Sequence, residues 1–278
     1  MKPLTSACLF IFCSSIFLSA QNKGTVYVYW GYNQSQYSKS DIHVWGSGYD
    51  FTLYDVVAHD RPTKELSTYF DLSQLTVPQF VLRGGFYITD KIHISGGYDH
   101  MKYVVKQYQP VKIKGYIEPA VSGTYYGNYN FSDITIQPDF FRFEHTNGLN
   151  YLSLEADWQE HLLKKANGKL RLNIMAGLGL AAIYPRSEAI FFEKKGADIF
   201  HTSGYGINLH TALKLDIGKY FFLRTGIKGG FINMPDVLTY DLPNHGASHS
   251  FWFLQEYTCF GLQYNIYKLL SKQKAMQE

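Results

Sequence analysis

From Gly204 to Ile217 the chain changes character at every residue. Tyr205, Ile207, Leu209, Thr211, Leu213, Leu215 and Ile217 fall on one side, and Gly204, Gly206, Asn208, His210, Ala212, Lys214 and Asp216 on the other. A helix repeats its faces every 3.6 residues and cannot produce that split; an extended strand, with period two, does. The pattern recurs after Gly218-Lys219, where Phe221, Leu223, Thr225, Ile227 and Phe231 alternate with Phe222, Arg224, Gly226, Lys228 and Gly230. It recurs again where Trp252, Leu254, Thr258, Phe260, Leu262, Tyr264 and Ile266 oppose Gln255, Tyr257, Cys259, Gly261, Gln263 and Asn265. Glu256 is the misfit on the apolar side of that last run. Further runs cover 26–37, 51–58, 79–88, 92–105, 111–117, 137–146, 149–163 and 169–184, which predicts an all-β chain of ten to twelve antiparallel strands.

Two architectures use such strands. A soluble sandwich or barrel turns the apolar row inward, whereas a membrane barrel turns it toward lipid and keeps Gly, Asn, Lys and Asp in its lumen. Three features select the membrane barrel. Several runs exceed the ~9–11 residues that a tilted spanning strand needs. Charged residues are only 18% of the chain, while 23 tyrosines and 20 phenylalanines suit an interface between apolar and aqueous surroundings. The opening MKPLTSACLFIFCSSIFLSA sets Lys2 before an apolar stretch and ends in Ser19-Ala20, the layout of a secretory signal peptide. No later segment has the ~18 consecutive apolar residues of a spanning helix. The expected organisation is a signal peptide over 1–20 and a barrel domain over 21–278. Cys259 alone then remains, so no internal disulfide is expected. The net charge of +3 is small and its cations are dispersed, which argues against a nucleic-acid partner.

With its leader, long alternating strands and short turns such as Thr89-Asp90-Lys91, the chain resembles bacterial outer-membrane β-barrel proteins over essentially all of 21–278. The resemblance implies the bacterial outer membrane as location. It implies membrane lipid, lipopolysaccharide and the outer-membrane insertion machinery as partners, with no cofactor. Counted backward from a periplasmic C-terminus, loops 185–202 and 233–249 and the Asn147-Gly148 turn fall outside the cell. The segments 58–78 and 118–136 do not fit that count unless one of them hides a further strand.

Chemistry concentrates in FRFEHTNGLNYLSLEADW, residues 141–158. Asn-Gly favours a two-residue hairpin turn, because both central positions take positive φ. A hairpin there puts Phe141, Phe143, Leu152, Leu154 and Trp158 on one face, with His145 and Asn150 continuing that row. Arg142, Glu144, Tyr151, Ser153, Glu155 and Asp157 take the other. Lumen charges are then expected at Arg142, Glu144, Glu155, Lys214, Asp216, Arg224 and Lys228, bracing the bore by ion pairs. Asp99 is expected to pair with a Lys or Arg of a neighbouring strand. The segment also resembles the active-site region of outer-membrane lipid A deacylases. That likeness implies His145 as general base, Thr146 or Ser153 as nucleophile and Glu155 as orienting acid. The family's serine position, two after the histidine, holds Asn147 here, and the hairpin register separates His145 from Glu155.

A second group, Asp41, His43, Asp50, Asp55, His59 and Asp60, has metal-ligand chemistry, but strand alternation explains it as solvated polar positions, and no metal is expected. GxSxG, HExxH, CxxC and the phosphate-cradling GxxxxGK[ST] are absent. The expected role is structural, binding or narrow-pore, the alternative being lipid A ester hydrolysis.

Overall fold

The computed structural model describes residues 22–63, 65–74, 77–164 and 169–267; the signal-peptide segment lies outside them. The chain forms β1 (Thr25–Tyr37), β2 (Ser40–Gly46), β3 (Tyr49–Val56), β4 (Ala58–His59), the short helix α1 (Leu66–Phe70), β5 (Phe80–Tyr87) and β6 (Ile92–Val105). There follow β7 (Pro110–Ile117), β8 (Gly127–Thr135), β9 (Phe141–Lys164), β10 (Leu170–Ile183), β11 (Glu188–Phe191) and β12 (Lys194–Lys195). The last three are β13 (Gly204–Ile217), β14 (Phe221–Val237) and β15 (Gly246–Asn265).

The antiparallel order β1-β5-β6-β9-β10-β13-β14-β15 returns to its start, because β15 also pairs with β1 from Thr25↔Asn265 to Tyr37↔Phe253. Eight strands thus close into a ring. The same hydrogen-bonded path continues from β15 through β2, β3, β7 and β8, so twelve strands lie on it and four of these stand outside the ring. They resemble spanning strands in sequence because they too bury one face. Ile42, Val44, Phe51, Leu53, Ile113 and Ile117 pack against Phe140, Phe141, Phe143 and Phe191 in an apolar core at one end of the barrel. Segment 118–136 does contain a strand, β8, and it belongs to this extension.

The alternating faces of β13, β14 and β15 fall as the sequence predicts. Leu209, Leu213, Phe221, Leu223, Trp252 and Phe260 are exposed on the outside, while His210, Lys214, Arg224 and Lys228 are buried within. With Leu154, 74% exposed, and Leu178 and Leu180, they form an apolar belt around the ring. Only lipid removes such a belt from water, so the ring is membrane-spanning. The spanning part of β15 runs from Trp252 to Tyr264, and that of β9 from Leu152 to Leu163. The start of β1, the end of β15 and the turns at 88–91 and 218–220 lie at the end opposite the extension.

The Asn147-Gly148 hairpin does not form. β9 runs unbroken through it, pairing with β6 at Tyr103↔His145 and again at Met101↔Leu149, so 146–148 bulge opposite Lys102. Gly148 has φ 132°, but Asn147 is not among the residues with positive φ, so the two-residue turn geometry is missing. Pairing with β6 on both sides of the bulge outweighs the local turn preference. Phe141, Phe143 and His145 therefore share the inward face with Tyr151, Ser153, Glu155 and Asp157.

Between the upper part of β1 and β6 the ladder is interrupted, because β5 pairs with β1 only up to Tyr32↔Phe80. A strap that includes α1, described over 60–63, 65–74 and 77–79, lies there. Asp60 accepts the Ser35 amide at 2.8 Å and a bond from Gln79, and the Tyr32 hydroxyl donates to the Tyr69 carbonyl at 2.5 Å. Phe70 of the strap is 84% exposed beside the belt.

Candidate functional site

Alternate residues of the ring strands point into the bore, and mid-depth they bring together three cations and three carboxylates. Arg83 of β5 lies 3.0 Å from Glu155 and 3.6 Å from Asp99. Lys228 of β14 reaches Glu155 at 2.8 Å and closes on Asp99 of β6. Arg224 meets Asp157 at 3.1 Å, and its guanidinium stands over the rings of Tyr29 and Tyr257. All six side chains are at most 3% exposed. Buried ions of this kind are tolerable only when paired and hydrogen-bonded, and here the signs balance. Room for the longest group comes from Gly97, where a Cβ would run into the Arg83 guanidinium.

Histidines and a second pair complete the plug. His210 Nε2 lies 2.7 Å from Asp157, and His93 Nδ1 lies 2.7 Å from the Tyr27 hydroxyl. Toward the turn end Lys214 pairs with Asp216 at 3.0 Å, Arg171 reaches Asp216 at 3.3 Å, and Gln263 bridges the pair. The gap lined by Tyr27, Tyr29, Tyr87, Met175, Lys214, Phe222 and Arg224 has no room for a water molecule. Beyond the charged layer, Tyr151, Met101, Leu149 and Phe253 carry the filling into the apolar core of the extension.

Glu155, Asp157 and His210 converge closely enough to hold a metal ion. Their carboxylates, however, already neutralise Arg83, Arg224 and Lys228, and a divalent ion would leave that layer with excess positive charge in a desolvated bore. These pairs connect β5, β6, β9 and β14 across the bore.

Lys214, Asp216, Arg224, Lys228 and Glu155 face the lumen, and Asp99 finds its lysine in Lys228. Arg142 and Glu144 do not: with the hairpin replaced by a bulge they point outward, and Glu144 pairs with Arg61 of the strap at 2.8 Å. The four residues of the deacylase resemblance fall into two places. The Ser153 hydroxyl accepts from Arg83 at 2.6 Å and lies 3.4 Å from Glu155, inside the charged layer. Thr146 donates to Glu144 at 2.9 Å on the outer side of the bulge. His145 sits on the part of β9 next to the extension; it pairs with Tyr103 of β6 while Glu155 pairs with Ser95, eight residues away, which at ~3.3 Å per residue puts them roughly 26 Å apart. The acidic cluster of 40–62 is likewise dispersed: His43 and Asp50 form an exposed pair at 2.9 Å, whereas Asp60 is tied into the strap.

His145 has partners that sequence reasoning missed. Its Nδ1 lies 2.8 Å from the hydroxyl of Ser187, and its Nε2 lies 3.3 Å from Nε2 of His249. His249 Nδ1 in turn lies 3.3 Å from the Ser40 hydroxyl. Tyr103, Phe143 and Phe251 wall the pair in. Burial pushes the His145 imidazole down to about 3 and that of His249 well below the usual histidine range, so both rings are neutral at neutral pH. No carboxylate pairs with either ring among the described ion pairs. Arg83 was legible, since it stands two residues from both Val81 and Gly85 on an alternating run. Ser187 lies in a connection with no pattern to reveal it.

Ring, belt and charged bore together define a transmembrane β-barrel protein. No family model matches the chain, and no curated protein does. Among solved structures it is similar to the N-terminal β-barrel domain of Pseudomonas aeruginosa OprF, at 12% identity over 88% of this chain and 100% of that one, with a TM-score of 0.31. It is also similar to the outer membrane protein OprG of Pseudomonas aeruginosa, at 10% identity, 88% and 98% coverage and a TM-score of 0.40. A Pseudomonas aeruginosa FadL homologue follows at 8% identity, 87% and 89% coverage and a TM-score of 0.20.

Proposed function

We propose that this chain resides in the bacterial outer membrane and acts there as a structural or binding protein, with its extension on the cell surface, rather than as a diffusion pore. One observation carries the reading: the bore of the eight-stranded ring is occupied by a charge-balanced side-chain layer with no room for water in the gap beneath it. Small barrels of this strand number are filled by their own side chains. Outer-membrane barrels place short turns toward the periplasm and long loops outside, which supports an exterior extension. What remains available for recognition is the rim of the extension and the strap with its outward Phe70. Membrane lipid and lipopolysaccharide are the proposed surroundings, and the insertion machinery the proposed route. The esterase reading has no assembled triad behind it, since its histidine and acid are far apart.

Planar-bilayer recording of the purified protein tests the reading. No stepwise conductance is expected in 1 M KCl, while a variant that empties the bore, Arg83→Ala with Arg224→Ala, should admit ions. Steady unitary conductance from the parent chain would overturn the reading.

A further inference from the structure

Glu256 breaks the apolar belt. It stands on the outward row of β15, four residues from exposed Trp252 and four from exposed Phe260, and is itself exposed. Among the described residues it takes part in no hydrogen bond or ion pair. An ionisable group that faces hydrocarbon is costly, and its presence there asks for a partner.

Two hollows of opposite character meet at this side chain. A cleft of about 110 Å³ between the wall and the strap is lined by Gln34, Gln36, Asp60 and Glu256. A groove of about 460 Å³ runs over the outer wall past Ile174, Thr211, Leu213, Thr225 and Ile227. The Thr211 and Thr225 hydroxyls are turned to the carbonyls of Met175 and Tyr257, at 3.0 and 3.2 Å, which leaves the groove largely apolar. Neither lining holds a lysine or arginine among the described residues. Asp60 is oriented by the Ser35 and Arg61 amides and makes no ion pair among the described residues, so the cleft carries uncompensated negative charge.

The register shows which hollow is deeper. From Glu256 the rungs of the ladder pass through Ile227, Thr211, Ala176 and Trp158 to Ile92, which adjoins the turn at 88–91. Strand tilt thus carries the groove downward from Glu256 into the belt. In the other direction the first rung reaches Gln34, and the cleft rises toward the strap.

We propose that Glu256 and the two hollows form a binding site for an amine-headed lipid of the surrounding leaflet, its ammonium group donating to Glu256 in the cleft and its chain lying in the groove. An ammonium offers three donors and no acceptor, which suits the carboxylates and the side-chain carbonyls of Gln34 and Gln36. The site is on the outer wall, so it stands or falls separately from the closed bore.

The test uses the full chain in phosphatidylcholine vesicles at neutral pH, titrated with pyrene-tailed dodecylamine and with the matching pyrene-tailed alcohol. Energy transfer from tryptophan reports association, Trp252 being close to Glu256 on the same row. The amine should associate about 10-fold more tightly than the alcohol. Glu256→Gln should abolish that preference, while Asp133→Asn on β8 of the extension leaves it unchanged. Glu256→Gln removes an ionisable group from the lipid face, so folding does not suffer. Thr211→Phe, which fills the groove, should weaken amine and alcohol alike. Equal association of the two probes with the parent chain, an undiminished amine preference in Glu256→Gln, or no effect of Thr211→Phe would overturn the site.

Discussion

Replacing Lys228 by Met removes one of three cations from a layer that holds three carboxylates. Asp99 and Glu155, both fully buried, are then left to share Arg83, which already lies 3.0 Å from Glu155 and 3.6 Å from Asp99. Stranding a buried charge in this way costs about 3–5 kcal/mol, roughly a 100- to 1,000-fold or larger shift in the folding equilibrium. Asp99→Asn alone leaves the opposite imbalance and should cost a similar amount. The double variant restores equal numbers of positive and negative groups, so it should be less harmful than the two single losses added together, by about 2–3 kcal/mol. Urea unfolding in lipid vesicles, followed by tryptophan fluorescence and by heat-modifiable gel mobility, measures all four corners of that cycle. Lys194→Met, at an exposed position of β12, serves as the control. A single-variant cost under about 1 kcal/mol, or strict additivity in the double variant, would refute the argument that the layer is held by mutual neutralisation.

Three smaller tests address other parts of the chain. Gly31 sits on the seam between β1 and β15, where a methyl would overlap the Thr258 carbonyl and the Cys259 backbone; Gly31→Ala should cost about 1–3 kcal/mol in the same unfolding assay. Phe143→Ala should destabilise the extension by about 3–5 kcal/mol, while its neighbour Arg142→Ala stays within about 0.5 kcal/mol; equal effects would mean that the faces of β9 are misassigned. Burial holds the Asp60 carboxyl above its usual range despite the amides donated by Ser35 and Arg61. A raised folded value means that docking of the strap is fully favoured below the unfolded value near ~3.9 and weakens as pH rises through the folded value. Hydrogen exchange of residues 60–79, corrected for intrinsic rates, should therefore show protection falling with rising pH, and Asp60→Asn should flatten that slope.

Much of the ring was legible because lipid on one side and a polar bore on the other write the period of two directly into β10, β13, β14 and β15. The extension was harder to read. Val44, Phe51 and Ile113 alternate as clearly as any spanning strand, since an apolar core imposes the same one-sided burial that lipid does, and periodicity does not distinguish the two. The Asn147-Gly148 signal misled for a different reason: turn preference is local, whereas the pairing of β9 with β6 depends on residues more than forty positions earlier in the chain. Correcting that one bend reverses the sides of Arg142, Glu144, Phe141 and Phe143 together. The site at His145 was half visible, the histidine being conspicuous and its partners, Ser187 and His249, being distant in sequence.

Lys228 and Asp99 come from strands on opposite sides of the eight-membered ring, so their ion pair crosses the bore. A barrel strand that slips by one residue turns its apolar side chains inward and is rejected at once, but a slip of two keeps every residue on its proper face. The belt and the backbone ladder scarcely notice such an error, which displaces the strand by ~6–7 Å. The charged layer does notice, because that displacement pulls each cation off its carboxylate. The bore thus acts as a gauge of alignment: it recognises the single registration in which the wall has closed correctly, a distinction the greasy exterior has no means of making.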